Sequence, residues 1–487
     1  MKIHTSSLGP DFEKVVADTI HAIQPVADSG VAVGVIQNGQ LVYAGGFGFR
    51  DRAASAPVDA NTLFAIGSAT KAFTSMAVLM HVEAGQLSLD TPVRQYLPDF
   101  KMKDPRATRE MTLKDILCHR TGLPRHDALW YIGPFSRSQL LYRLRYLQPF
   151  PRLQGQPPSF RNLFLYNNIM YMVAGHLLEI LFGVSYESII KTRILDPLGM
   201  TATSFSLASL TSAGNYAKGY EKVTELPLKD FANVGPAGEI NSSVLDMAKW
   251  IELFLRKGLT SKGAPLISSP LLTQTYTPLS NPGDGSTYGL GWNICKVQVA
   301  GQNPTPDKLL VFHTGDADGN SAYVSFMPND GLGVVVLTNQ QCTDDLIDIW
   351  PDRIAAAIYG NLLGGALTGL PTPVASPAPP ALPAGPELDS PDDYTGIFSN
   401  PGYGDLVVNR AGDDLAISYY GLTWPLEPVQ GDDFQFHVHG FGTIFPVFVI
   451  FKRHSKGAIQ SLTATLVRPP VPAVSFVKRG VSVSSTT

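Results

Sequence analysis

Two apolar hairpins, one near the start of the chain and one far downstream, restrict its fold more than any other feature. Val31-Ala32-Val33-Gly34-Val35-Ile36 and Leu41-Val42-Tyr43-Ala44 read as strands around Asn38-Gly39, two residues that tolerate the positive φ of a tight hairpin turn. Ala322 to Met327 and Leu332 to Thr338 flank Pro328-Asn329-Asp330-Gly331 in the same way, and Leu309-Leu310-Val311-Phe312 is a further short apolar run stopping at His313-Thr314-Gly315. A helix is expected from about Asp344 to Tyr359. The stretch between the hairpins is helical in pattern. Strand-rich ends around a helical middle predict one α+β domain whose sheet joins both ends of the segment.

The helices carry their own punctuation. Pro10-Asp11 starts the first, with Phe12, Val15, Val16, Thr19, Ile20 and Ile23 on its buried face, and the chain is expected to enter it directly from the N-terminus. Ser68 lies in the first turn of another, where Phe73, Ala77, Met80 and Ala84 form a buried stripe closed by Gly85. Thr112 to Leu117 is a short helical piece ending near Thr121-Gly122-Leu123-Pro124. Tyr166-Asn167-Asn168 opens a helix whose buried face runs Ile169, Met172, Val173, His176, Leu177, Ile180 before Gly183, and Ser242 or Ser243 caps a further one.

From Leu370 to Pro391 the chain is dense in proline and alanine, an extended semi-rigid linker. Beyond it, short apolar runs such as Leu406-Val407-Val408, Leu415 to Tyr419 and Phe434 to Val438 are punctuated by Gly and Asp, as in a small all-β sandwich or barrel. The expected division is 1–369, a linker 370–391, and 392–487.

Charged residues are only 16% of the 487 and the net charge is −4, so the chain is globular and offers no basic surface for nucleic acid or an anionic membrane. No apolar run reaches bilayer-spanning length, and the first residues carry no apolar signal core, which predicts a cytoplasmic location. Cys118, Cys295 and Cys342 have no metal-type spacing and read as reduced thiols. No cofactor or metal is expected, the expected partner is a small-molecule substrate, and no oligomeric state is read from the sequence.

Ser68 and Lys71 share one face of a helix start, an arrangement that suits an activated nucleophile. Ser-x-x-Lys alone is weak: it recurs at Ser188 to Lys191 and Ser475 to Lys478. The Gly-x-Ser-x-Gly elbow and His-Glu-x-x-His are absent, which removes motif support for a histidine triad or a zinc hydrolase. Tyr166-Asn167-Asn168 opens a helix after a proline-rich loop, whereas Tyr359-Gly360-Asn361 has its tyrosine at the end of one. The order Ser68-x-x-Lys71, Tyr166-x-Asn168, His313-Thr314-Gly315 is the specific signal.

With these motifs, and with Leu117 to Pro124, Gly235 to Ser243 and Tyr288-Gly289-Leu290-Gly291-Trp292, the chain resembles the serine β-lactamase and penicillin-binding-protein superfamily over about residues 10 to 360. It is closest in character to class C β-lactamases, D-alanyl-D-alanine carboxypeptidases, D-aminopeptidases and related esterases. The resemblance implies an antiparallel sheet flanked by helices with a helical subdomain, and catalytic roles for Ser68, Lys71 and Tyr166. It implies Asn168 as the group that orients Lys71 and the substrate amide, and backbone N–H groups of Ser68 and Asp316 as an oxyanion site beside His313, Thr314 and Gly315. Ser68 would form an acyl-enzyme, with either Lys71 or a Tyr166 phenolate as base. Lysine is common at the position of His313 in true β-lactamases, so the expected positive charge here is pH-dependent. Asp316 and Asp318 are expected at the cleft rim, favouring an amine-bearing or neutral substrate.

Asn400-Pro401-Gly402-Tyr403-Gly404 and Leu406-Val407-Val408 resemble the lipocalin-like domain attached to some of these hydrolases, where the extra domain can cover the active site. Gly440-Phe441-Gly442 is a candidate loop toward the cleft, and a solvated accessory barrel is the equal alternative. The implied activity is a serine hydrolase of a small ester, lactone or amide, including D-amino acid peptides. An acyltransferase of the same chemistry is the alternative, and a non-catalytic binding protein on this scaffold is a third reading that the retained Ser68, Lys71 and Tyr166 oppose. His176 is expected to be a satisfied core histidine, His437 and His439 to face one way on a strand, and Trp130, Tyr131, Tyr142 and Tyr146 to line an acyl pocket or pack the helical subdomain.

Overall fold

Asn38 and Gly39 take φ of 51° and 69°, and the strands they join are β2 (Val31–Gln37) and β3 (Gln40–Phe47). The computed structural model describes residues 3–480 except 6–7, 10, 25, 153, 303–305, 342–349, 373–389, 441–442, 455–456 and 468–471. Across it, β2 pairs antiparallel with β8 (Leu332–Thr338), so the two distant hairpins share one sheet as their patterns require. With β1 (Ile3–His4), β4 (Thr287–Tyr288), β5 (Asn293–Val299), β6 (Lys308–Ala317) and β7 (Asn320–Met327), the order is β1-β3-β2-β8-β7-β6-β5-β4, and Leu367–Thr368 adds to the outer edge of β5.

The central strands are buried on both faces. Val33, Val35, Val334 and Val336 pack with helix α1 (Phe12–Ile23) and with the helix Trp350–Leu363. Ile36, Val324, Phe326, Val335 and Leu337 turn the other way, toward Phe73, Trp250 and Phe254. Alternation with period two sends neighbouring valines to opposite layers, so both faces must be covered by helices. Helix α2 (Thr70–Glu83) lies between the sheet and the helical subdomain and is buried on every side from Thr70 to Leu79. The expected single stripe was therefore too narrow: Met80 is half-buried and Ala84 exposed, because the helix emerges only in its last turn.

Other expectations need correction. The chain does not run straight into α1, since Ile3–His4 first pairs with Ala44 and Tyr43. β6 does not stop at His313 but continues through Ala317, because β7 pairs with it to that point. In the helix α3 (Asn168–Phe182), Ile180 is 51% exposed, facing outward near the C-terminal end. Tyr359 lies within its helix, which runs to Leu363, and its hydroxyl meets Ser325 Oγ at 3.1 Å. Expected helical residues 344–349, linker residues 373–389, Cys342, and Phe441 and Gly442 lie outside the described residues. Cys118 and Cys295 are buried free thiols.

Beyond residue 390 the chain forms a closed barrel of eight antiparallel strands, from Gly396–Asn400 to Val474–Lys478. Alternate residues such as Leu406, Val408, Leu415, Ile417, Phe434 and Phe436 fill it. Its first turn, Asn400 to Gly404, docks on the α+β domain: Arg143 donates to the carbonyls of Gly402 at 2.8 Å and Pro401 at 3.3 Å, and Phe135 meets Tyr420 edge-on. Among the described residues no single helix is long and apolar enough to cross a membrane.

Candidate active site

Ser68 occupies a single 3-10 turn, Gly67–Ala69, that runs directly into α2. That turn lies against β6 so closely that side chains cannot intervene. A Cβ on Gly315 would sit 1.9 Å from the Ile66 carbonyl oxygen, and one on Gly67, whose φ is +49°, would sit 2.6 Å from the Asp316 nitrogen. Only glycine at both positions permits this approach. β6 pairs with β5 only as far as Phe312, so its continuation past His313 borders the Ser68 turn.

Lys71, one turn on, is fully buried, with Nζ 2.9 Å from Ser68 Oγ, 2.7 Å from Asn168 Oδ1 and 2.8 Å from the Ala237 carbonyl oxygen. Burial pushes its amine well below the ordinary lysine range, Arg125 adds to that, and Asp127 opposes it. A neutral amine has two protons and one lone pair. Asn168 Oδ1 and the Ala237 carbonyl can only accept, so they take both protons and leave the lone pair facing Ser68 Oγ.

Asn167 caps α3, accepting from the Met170 N–H at 3.0 Å, while its amide donates to the carbonyls of Leu123 and Pro124. This fixes Tyr166 and Asn168 on either side of the cap. The Tyr166 ring lies 4.6 Å from Lys71 Nζ and 5.3 Å from the Arg125 guanidinium carbon. Burial holds its phenol above the ordinary tyrosine range, with a hydrogen bond to Ser68 and the charge of Arg125 opposing. Tyr166 is thus a protonated phenol beside the serine.

His313 differs from expectation. Its Nδ1 lies 2.6 Å from the Thr314 carbonyl and its Nε2 2.9 Å from the Tyr288 hydroxyl. The carbonyl fixes the proton on Nδ1, so Nε2 accepts from Tyr288. Burial, with Lys71 nearby, pushes the imidazole down to about 3, so it is neutral through the physiological range instead of carrying a pH-dependent charge there. The acidic rim also needs revision. Asp318 is buried, accepting from the Tyr131 hydroxyl at 2.8 Å with Lys229 3.9 Å away, and Asp316 accepts from Ser321 Oγ at 2.6 Å. Thr314 and Asp316 are half-buried and Gly315 is buried against the turn.

Arg125 and Asp127 went unrecognised in the sequence. Their side chains form an ion pair, and Asp127 Oδ1 also accepts from Trp130 Nε1 at 2.7 Å and Asn168 Nδ2 at 3.5 Å. They sit in an aperiodic loop, and the only available signal was their position directly after Gly122-Leu123-Pro124. His119 was likewise missed as a site element: fully buried, it packs 4.3 Å from the Tyr166 ring and accepts from the Asn167 N–H at Nδ1.

Trp130 and Tyr131 form an aromatic wall with Phe231 near the site, whereas Tyr142 and Tyr146 pair with each other beside the barrel turn. His176 is satisfied as expected, by Glu179 and Ser138. His437 approaches Glu427 at 3.7 Å, the side chain of His439 lies outside the described residues, and no metal-binding group occurs among the described residues. The other Ser-x-x-Lys copies are structural: Lys191 is exposed and paired with Asp196, and Ser475 and Lys478 lie on a barrel strand.

Residues 20–357, which include all of these catalytic-domain groups, match the family model described as Beta-lactamase. The chain belongs to the Beta-lactamase family. Among curated relatives of this family member, unguisins hydrolase ungD' of Aspergillus campestris is 30% identical over 445 residues, covering 82% of this chain and 78% of its own. Protein flp of Staphylococcus aureus is 28% identical, covering 66% of this chain and 62% of its own. The octameric penicillin-binding protein homologue from Pyrococcus abyssi is similar across 96% of this chain and 99% of that one, with a TM-score of 0.58 at 23% identity. That span includes the barrel. A class C β-lactamase from Rhodobacter sphaeroides matches 72% of this chain and 99% of its own, also at 0.58 and 23%. The fold is therefore that of the β-lactamase-like serine hydrolases followed by a β-barrel.

Proposed function

We propose that this Beta-lactamase family member is a serine hydrolase that forms an acyl-enzyme at Ser68 on a small ester, lactone or amide, D-amino acid peptides included. The observation that carries this is the buried Lys71 amine with its lone pair toward Ser68 Oγ. In the reaction, Ser68 Oγ bonds to the substrate carbonyl carbon as its proton passes to Lys71 Nζ. The carbonyl oxygen becomes an oxyanion received by the N–H groups of Ser68 and Asp316, which the glycine contact brings side by side. Tyr166, held as a phenol, hands a proton to the leaving group and recovers it from Lys71. Asn168 keeps the amine aimed. Water then resolves the acyl-enzyme by the same groups in reverse.

A neutral His313 supplies no cation for a substrate carboxylate, which favours uncharged acyl groups over anionic β-lactams. The name of the relative ungD' supports hydrolysis as the outcome. Transfer to a bound alcohol or amine is favoured by a different observation. Asp127 is occupied by Arg125, Trp130 and Asn168, and Asp316 by Ser321, so neither carboxylate is placed to activate water. The reading keeps the division into a catalytic unit 1–369, a linker 370–391 and a barrel 392–487.

Mass spectrometry after exposure to a fluorophosphonate is expected to show one adduct on Ser68, lost in Ser68→Ala and strongly reduced in Lys71→Ala. An adduct elsewhere, or none, sinks the proposal. p-Nitrophenyl esters and D-aminoacyl anilides, assayed with and without added amines or alcohols, then separate hydrolysis from transfer.

A further inference from the structure

The first barrel turn reaches past the surface of the catalytic domain. Tyr403, 2% exposed, places its hydroxyl 2.6 Å from His126 Nδ1, and His126 Nε2 lies 3.0 Å from the Gln148 carbonyl. A carbonyl only accepts, so the imidazole proton is on Nε2 and the Tyr403 hydroxyl donates to Nδ1. His126 stands between Arg125 and Asp127 in the chain. Asp127 contacts the Asn168 amide, and Asn168 holds Lys71. The turn itself is fixed from within, by Asn400 Oδ1 accepting from the Gly402 and Tyr403 N–H groups, and from outside by Arg143.

We propose that Tyr403 is a positioning residue of the catalytic site: through His126 it pins the Arg125–Asp127 pair, so the barrel sets the state of the Lys71 amine. This role is distinct from covering the cleft, because the contact is made to the loop carrying the ion pair. It rests in part on the acyl-enzyme reading. Of the titratable groups around Lys71, namely Tyr166, Tyr171, His119, His313, Arg125 and Asp127, only the last two belong to the loop that Tyr403 holds. Arg125 depresses the amine more than Asp127 raises it. Loosening that loop therefore raises the Lys71 pKa, and the acid limb of any reaction needing the neutral amine moves to higher pH.

The test uses the full chain with Tyr403→Phe, which deletes one hydroxyl and keeps the ring in the barrel. Two quantities are read: Lys71 titration by NMR of 13C-labelled lysine, and the rate of fluorophosphonate labelling of Ser68 against pH. The expected result is an upward shift of roughly half a pH unit in both, with labelling on the acid limb slowed about threefold. Asp127→Asn is expected to remove most of the effect of Tyr403→Phe in a double-mutant cycle. Unchanged Lys71 titration in Tyr403→Phe, or fully additive effects in the cycle, overturns the proposal. No labelling of Ser68 in the unaltered chain overturns the acyl-enzyme reading instead, and the Lys71 titration still decides the role of Tyr403.

Discussion

Three buried imidazoles near the site share one electrostatic fate. His313 is pushed down to about 3 and His126 to about 4, and His119 well below its ordinary value, burial being the leading cause each time. A depressed folded pKa means that the unfolded chain takes up the proton first. Their contribution is therefore fully present above about pH 6.5 and is lost as pH falls toward the folded values. The unfolding free energy read from urea titrations is expected to fall steeply between pH 6.5 and 4, by on the order of several kcal/mol in total. A flat profile would contradict their burial as neutral groups. Cys118 and Cys295, raised to about 11 and about 12 by burial, are expected to resist iodoacetamide in the native chain and to react after unfolding. At this scale the sequence was uneven. Ser68, Lys71, Tyr166 and Asn168 stand at helix starts, where caps and turns write themselves into the residue pattern. Arg125 and Asp127 occupy an aperiodic loop, and the neutrality of His313 depends on burial beside Lys71, which arrives from a distant helix.

The elements that matter most are the Ser68 turn and β6, held in backbone contact. Gly315→Ala would drive a methyl group into the Ile66 carbonyl, so the strand must retreat from Ser68. The expected outcome is a loss of Ser68 labelling of about a hundredfold or more, as when one oxyanion donor is withdrawn. Labelling within threefold of the unaltered chain would show that this contact is dispensable. The hairpins and most helix limits were legible because each rests on local chemistry: Asn38-Gly39 for the turn, the Thr112–Asp115 capping box, Asn167 and Gly183 at the two ends of α3. The full burial of α2 and the continuation of β6 were not, since both follow from what packs alongside and not from the segments themselves.

At the scale of the molecule, the apolar core runs without a break from the helical subdomain into the barrel. Arg143 clasps the turn that joins them, its guanidinium 3.7 Å above the Phe135 ring while donating to Gly402 and Pro401. Calorimetry is expected to show barrel and catalytic domain unfolding in one transition that Arg143→Ala splits in two. Two transitions in the unaltered chain would show that the units are thermodynamically independent. The change of texture after residue 390 announced a separate all-β unit. Its grip on the catalytic loop was not legible, because Tyr403 and His126 are far apart in sequence and each looks like an ordinary polar aromatic. One further feature bears on solubility. The flanks of the long sheet end in two-residue strands, Ile3–His4 on one side and Thr287–Tyr288 with Leu367–Thr368 on the other, and the barrel closes on itself. Open backbone edges are the templates on which chains stack into aggregates. Among the described residues those edges are cut short or eliminated, so a protein this rich in buried valine and isoleucine strands offers a neighbouring copy little to extend.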